Sequence, residues 1–416
     1  MLTLANVATF VDRMILSLLV VPLKRDLGLS DTQLSLLGGL AFSIFYSVLG
    51  LPIGRLADRS SRRNIMGAGV AIWSVMTALC GVVATFPRFM LARIGVGVGE
   101  AALVPPATSL LADYFPREKL GSAMSVMSLG IFLGSGLAYI IGGVVVGTLS
   151  AHGDFVWPVV GTVRAWQSVF FVVGLPGLLI ALLFLSVREP VRRSSSPPSS
   201  TRELFQYVRR NLRSFACNSV GFSLSAMVNY GIAFWLAKFL IRTYGWTVAQ
   251  AGALQGGLTA TVGVVGVLSG GRLADWYARR GRTDGPLRVG VIGAAGMIVA
   301  ATAYPLMPSA AMAVVWLVVV NFFAAFPWGA ASTAAAEIVP ASMRAQGAAL
   351  YFFILSLVSS ALGPTAVALI TDHVFHDDSA LRYSLAIVNV AGMSAAIALL
   401  VYGMPAYRRT VSTRGD

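Results

Sequence analysis

The chain has 416 residues, 56% of them hydrophobic and only 12% charged, with a formal net charge of +14. At a mean hydropathy of +0.77 it is no ordinary soluble domain, which would carry about twice that charged fraction. The basic residues sit in short segments between apolar runs, which argues against a nucleic-acid face, and two cysteines and three histidines offer no metal or disulfide pattern. Composition therefore predicts an all-α polytopic membrane protein.

The first apolar run, 2–23, starts almost at Met1, so a longer native N-terminus is expected. It lacks the basic n-region and small-residue cleavage site of a signal peptide and reads as a span. Asp12 and Arg13 interrupt it. The second run, 32–54, leads into GRLADRSSRR at 54–63, and the third covers 64–84. The fourth, 88–112, contains RIGVGVGEAALVPP at 93–106, where Arg93 and Glu100 are two turns apart and share a helix face. GVGVG lacks the spacing of a dinucleotide loop and follows no strand, so its glycines are read as close helix contacts. Pro105 and Pro106 predict a kink. Runs at 120–146 and 165–187 complete a group of six. GIFLGSGLAYIIGG in the fifth resembles the glycine-rich motif of drug/proton antiporters. It carries Ser135 in place of the diagnostic proline and is read as packing only.

The segment REPVRRSSSPPSSTRELFQYVRRNLR reads as a flexible linker leading into a short amphipathic stretch. Six further runs follow at 214–239, 248–271, 287–305, 310–335, 346–370 and 382–405. Twelve transmembrane helices thus fall into an N-terminal half (1–187), a cytoplasmic linker (188–213) and a C-terminal half with a short tail (214–416). Placing the linker and both termini in the cytoplasm puts most of the arginines there, as the positive-inside rule requires. An arginine share of 28 among 31 basic residues hints at a bacterial source and hence an inner membrane.

The halves repeat. GRLADRSSRR returns as GRLADWYARR at 271–280, an offset of 217, at which VDR (11–13) meets VNY (228–230) and Gln33 meets Gln250. DYFP at 113–116 corresponds to EIVP at 337–340. Two pseudo-symmetric six-helix halves in parallel orientation are the build of the major facilitator superfamily. GRLADRSSRR also resembles that superfamily's loop motif, with Ser61 where the family usually has glycine. The resemblance implies that Gly54 permits a tight exit, that Asp58 faces a helix N-terminus or a basic partner, and that Arg59, Arg62 and Arg63 anchor at the headgroups. With Asp113, and with Gly271, Asp275 and Glu337 in the second copy, they form a cytoplasmic latch that holds one state closed.

In this architecture spans 1, 4, 7 and 10 line the cavity, so Asp12, Arg13, Arg93 and Glu100 can converge. An unpaired charge at a helix centre costs about 2.5–3.5 kcal/mol, and four cost on the order of 10 kcal/mol, so they must be paired or hydrated. Neighbours on a helix point about 100° apart, so Asp12 and Arg13 have different partners; the sequence does not assign them. In the second half Asn229 and Tyr230 replace Asp12 and Arg13, and the stretch matching Glu100 is FFAAFPWGAAS. A scaffold thus manages without the charges. Asp12 and Glu100 are read as titrating carboxylates, with Arg13 and Arg93 competing with the proton or holding an anionic substrate group.

At these residues the chain resembles the Spinster family. The carriers are VDR in the first span, GRLADR after the second, Arg93 with the GEA of 99–101 and DYFP, GRLADWYARRGRTDGPLR between spans eight and nine, and ALRYSL entering the twelfth. The resemblance implies proton-linked export of amphipathic lipids, with lysophospholipids and sphingosine phosphates as eukaryotic substrates, and assigns coupling and gating to Asp12, Arg13, Arg93 and Glu100. Asn229, Tyr230, Trp235, Gln255, Phe322, Phe326, Trp328 and Tyr351 would supply an uncharged wall for an amphiphile. The expected function is therefore a proton-coupled transporter of an amphipathic lipid or lipid-like anion. The runner-up is a carrier of small organic anions or drugs. A non-transporting sensor would be expected to carry an output domain larger than the linker. No catalytic constellation, cofactor motif or metal cluster is readable, so an enzyme is not expected. The expected partners are a small amphipathic or anionic substrate, protons and the bilayer, without nucleic acid, and the two-half fold suffices as a monomer.

Overall fold

The computed structural model describes residues 1–83, 85–114, 117–152, 155–157, 161–190, 201–340 and 344–413. Among the described residues, twelve helical rods follow one another, the linker helix counted with the seventh. Among the described residues ten helices are long and apolar enough to cross a membrane, and the bent first pair makes an eleventh. The remaining rod, Arg117–His152, contributes the apolar stretch Leu133–Val145.

Local chemistry explains where the rods break. The first bends by 55° between Leu2–Leu18 and Val20–Leu27, because Pro22 has no amide to give the Leu18 carbonyl and its ring crowds that turn. The second begins with a capping box in which Ser30 and Gln33 satisfy each other's backbone amides. It continues through Asp31–Ser35, a π-helical turn at Leu36–Leu40 and Ala41–Arg59. The eighth opens with the same box, Thr247 with Gln250, which is the physical content of the Gln33–Gln250 match. The fourth rod runs Phe86–Glu100, breaks at Ala101–Leu103 and resumes as Val104–Tyr114, where Pro105 and Pro106 leave the carbonyls of Ala101 and Ala102 unbonded within the helix. The tenth, Ala310–Ala325 and Trp328–Glu337, breaks at Phe326–Pro327. Between the fifth and sixth rods lies a feature the sequence reading did not foresee, an antiparallel hairpin pairing Phe155–Trp157 with Gly161–Val163. Strands of three residues are too short for a period-two pattern to stand out in so apolar a chain.

The chain divides into two compact units, Met1–Ser195 with Phe234–Ala260, and Ser196–Ala233 with Thr261–Asp416. The first is centred on Met66, Val70, Trp73, Val96 and Phe184. The second is centred on Leu287, Ala334, Ile338, Tyr351 and Tyr407. Glycines set the closest approaches, as the sequence suggested. A Cβ on Gly99 would lie 2.6 Å from the Trp73 amide nitrogen and 2.7 Å from the Gly69 carbonyl, and one on Gly97 would lie 2.6 Å from the Phe42 carbonyl. Gly134 of the fifth rod meets the Val7 carbonyl in the same way. Without a hydrophobic drive between helices in lipid, such backbone contact carries the packing. The linker segment 191–200 lies outside the described residues, and after it Thr201–Arg210 forms the expected amphipathic helix.

Candidate coupling and substrate site

The close packing of spans 2, 3 and 4 brings four charges into the first unit. Asp12, 2% exposed, accepts from Thr77 Oγ1 at 2.5 Å through one oxygen and from Arg93 Nη1 at 3.3 Å through the other. Arg93 is equally buried, and its Nε donates to the Leu37 carbonyl at 3.4 Å. Leu37 lies in the π-helical turn, a geometry that makes backbone carbonyls available to side chains. Arg13 pairs with Glu100, Nε to Oε2 at 2.6 Å. Its guanidinium also sits 4.5 Å from the Phe42 ring, 4.7 Å from Tyr46 and 5.3 Å from Phe10, near enough for cation–π attraction. Adjacent residues on one helix thus take different partners, as the 100° step demands. The other Glu100 oxygen, Oε1, is buried with no hydrogen-bond partner among the described residues.

A second charged cluster escaped the sequence reading. Asp31, fully buried, accepts from Lys24 Nζ at 2.9 Å and from Lys238 Nζ, and Arg242 Nη1 is 3.7 Å from its second oxygen. Lys238 also lies 4.6 Å from the Trp235 ring. Asp31 had the look of an ordinary first-turn acid behind a cap. Lys238 was the available signal, since a lysine inside an apolar span is as costly as the arginine at 93.

Of the residues expected to form a latch, Arg62 has the most contacts. Its Nη1 donates to Asp113 Oδ2 at 2.5 Å and its Nε to Glu189 Oε1 at 2.8 Å, while Nη1 also reaches the Ser109 carbonyl at 3.2 Å. Glu189, at the head of the segment read as linker, further accepts from the Arg63 amide at 3.0 Å and from Ser61 Oγ at 3.1 Å. Burial alone would raise the Glu189 carboxyl, but these donors outweigh it and hold the group below the usual carboxylate range. One expectation changes. Gly54 lies inside a helix that continues to Arg59 rather than at its exit, and a Cβ there would make only ordinary contact with Pro105 at 3.7 Å. Ser61, in the place where the superfamily usually has glycine, caps the third span by accepting from the Asn64 amide. The side chains of Asp58 and Arg59 lie outside those described.

In the second copy of the motif, Gly271, Asp275 and Glu337 line a cavity of about 370 Å³ with Arg282, and Glu337 accepts from Tyr407 Oη at 2.8 Å. Asp284, buried and not anticipated, holds Arg288 Nε at 3.0 Å and Arg408 Nη2 at 2.8 Å. The predicted uncharged wall separates into three groups. Asn229, Trp328 and Tyr351 line one small cavity of the second unit with Ser225 and Phe222, and Tyr230 is half-buried beside Asn229. Phe322 and Phe326, with ring centroids 5.6 Å apart, pack instead on the eighth span, whose Gly266 and Gly270 press against their carbonyls. Trp235 and Gln255 are buried in the first unit.

Residues 2–364 match the family model described as Major Facilitator Superfamily. The chain belongs to that superfamily. Within the superfamily it is similar to a "MFS-type efflux pump" of Mycolicibacterium smegmatis, 26% identical across 99% of this chain and 92% of that one. It is also similar to "Protein spinster homolog 1" of Xenopus tropicalis, 27% identical across 89% and 71% of the two chains. Among solved structures, a bacterial homolog to the human lysosomal transporter Spinster, in an inward-facing and unoccupied conformation, superposes with a TM-score of 0.80. It is 29% identical, over 100% of this chain and 97% of that one. The Spinster resemblance read from VDR, GEA and GRLADR therefore extends along the whole superfamily fold, and the protein is an integral membrane transporter.

Proposed function

We propose that the protein is a proton-coupled secondary active transporter of an amphipathic lipid or lipid-like anion, working by alternating access. The observation that carries this reading is Glu100, a buried carboxylate with one oxygen on Arg13 and the other without a hydrogen-bond partner among the described residues. A proton arriving at Oε1 weakens the pair and frees Arg13, so proton and salt bridge compete for one group. Asp12 has both oxygens engaged, which makes Glu100 the first acceptor and Asp12, with Arg93, the second element of the relay. The freed Arg13, ringed by Phe10, Phe42 and Tyr46, suits an anionic head next to apolar groups.

In this reading two six-helix halves, 1–187 and 214–416, work as a monomer in a bacterial inner membrane, with both termini and the linker 188–213 in the cytoplasm and no cofactor. Arg62, Asp113 and Glu189 belong to the latch on that side. Similarity to an efflux pump along nearly the full chain favours a second reading, a carrier of small organic anions or drugs.

The test uses purified protein in liposomes, wild type beside Glu100→Gln, with lysophospholipids, a sphingosine phosphate and a panel of small organic anions. Luminal pH is recorded on substrate addition. Lipid-dependent proton flux that Glu100→Gln removes is the expected result. Flux with small anions only moves the protein to the second reading, and flux that persists in Glu100→Gln refutes the coupling role.

A further inference from the structure

The linker helix Thr201–Arg210 and the seventh span Leu212–Tyr244 adjoin across a single turn residue, Asn211, with backbone bonds on either side of it. The Asn211 amide donates to the Tyr207 carbonyl at 3.0 Å, and the Phe215 amide donates to the Asn211 carbonyl at 3.0 Å. One face of this extension is used by the protein itself. Leu204 and Val208 are buried in the core of the second unit, and Tyr207 Oη donates to the Ile338 carbonyl at 3.0 Å.

The opposite face, among the described residues, touches the rest of the protein at Arg213. Arg202, Phe205, Arg209, Leu212 and Arg213 recur at helical spacing along it, with Phe205 59% and Leu212 57% exposed. Large apolar residues at that exposure are out of place in water but not in a bilayer interface. Arg213 fixes the level. Its guanidinium stacks 3.8 Å from the ring of Tyr402 and donates to the Tyr402 carbonyl at 2.9 Å. Tyr402, on the twelfth span, is itself 59% exposed, so its ring faces lipid. An arginine stacked on a lipid-facing tyrosine marks the depth where hydrocarbon gives way to headgroups. Arg209 and Arg210 lie one turn further out, about 5–6 Å, within the ~5–8 Å headgroup layer. Across 201–213 the side chains comprise four arginines and one acid, Glu203.

We propose that this face is a docking surface for an anionic membrane phospholipid. Its phosphate lies between Arg209 and Arg213, and its acyl chains run along Leu212 and Tyr402. The exposed apolar residues interleaved with the arginines select a lipid over a soluble anion, and the excess positive charge selects an anionic head over a zwitterionic one.

The experiment titrates the full-length purified protein in detergent with phosphatidylglycerol or phosphatidylcholine and counts bound lipids by native mass spectrometry. Phosphatidylglycerol is expected to bind preferentially. Arg209→Gln should weaken its tightest site about fivefold, the equivalent of ~1 kcal/mol per surface arginine, and Arg209→Gln/Arg213→Gln by more than tenfold. Arg209→Lys should restore most of the affinity. Arg279→Gln/Arg280→Gln removes the same charge from the exposed end of the eighth span and should leave the site intact. The proposal is overturned if Arg209→Gln binds like wild type, if Arg279→Gln/Arg280→Gln weakens binding equally, or if inorganic phosphate displaces the lipid as effectively as phosphatidylglycerol does.

Discussion

In the first repeat, Arg13 reaches from the first span to Glu100, the last helical residue before the break in the fourth. In the second, Asn229 reaches from the seventh span to the Ala324 carbonyl at 3.3 Å, just before the break in the tenth. The two acceptors correspond, because the offset of 224 that relates Asp113 to Glu337 carries Glu100 onto Ala324 and Arg93 onto Leu317. The fold therefore asks for a hydrogen bond at that height and not for a charge, and one repeat meets the need with a neutral amide. Buried ion pairs seldom out-stabilise well-packed neutral residues, so four charges in the other repeat are better explained by work than by stability.

The largest expected effect comes from breaking the charged version halfway. Arg93→Ala leaves Asp12 buried with Thr77 as its remaining donor, and should cost about 3–5 kcal/mol in the thermal unfolding of the purified protein. Asp12→Asn/Arg93→Leu instead installs the residues of the second repeat, Asn229 and Leu317, and should recover most of that loss while abolishing coupled transport. A double variant as unstable as Arg93→Ala would make the charges scaffolding and end the comparison.

Packing gives the next test. Gly99→Ala drives a methyl into the backbone of the third span and should destabilise by about 1–3 kcal/mol. Gly271→Ala meets open space and should stay within about 0.5 kcal/mol of wild type. Asn229→Ala removes one neutral hydrogen bond and should cost about 1 kcal/mol, measured by the same unfolding assay.

The smallest effect depends on pH. Because Glu189 is held below its ordinary range, it stabilises the fold above the unfolded-state value, about 4.3. That stabilisation is lost as pH falls through the folded-state value. Glu189→Gln should therefore be less stable than wild type at neutral pH, with the two stability–pH curves meeting at the acid end. A constant gap across the range would show that the carboxylate's charge is not what the contact with Arg62 and Arg63 uses.

Much of this was legible in the sequence because it is one-dimensional. Apolar run length sets the spans, the recurrence of GRLAD sets the repeat, and a charge in an apolar run is visible without coordinates. Partner choice is not one-dimensional. Asp12 and Arg13 diverge by a helical step, and which of Arg93 and Glu100 each meets depends on how closely Gly97 and Gly99 let the fourth span approach. Asp31 was hidden by a cap that explained it too well, and Lys238 by being a single residue in a long run. The wall residues misled differently. Phe322 and Phe326 carry the same chemistry as Tyr351, and only the small residues of the neighbouring eighth span decide that they are core.

The rings around Arg13 make the rupture of its pair with Glu100 lopsided. A carboxylate that takes up a proton sheds its charge, but a guanidinium left behind keeps its own in an apolar bundle. Phe10, Phe42 and Tyr46 offer it a place to wait, worth about 0.5–2 kcal/mol. The rings already touch the guanidinium in the closed pair, so the same contact persists when the carboxylate lets go, and Arg13 would change partner without changing place.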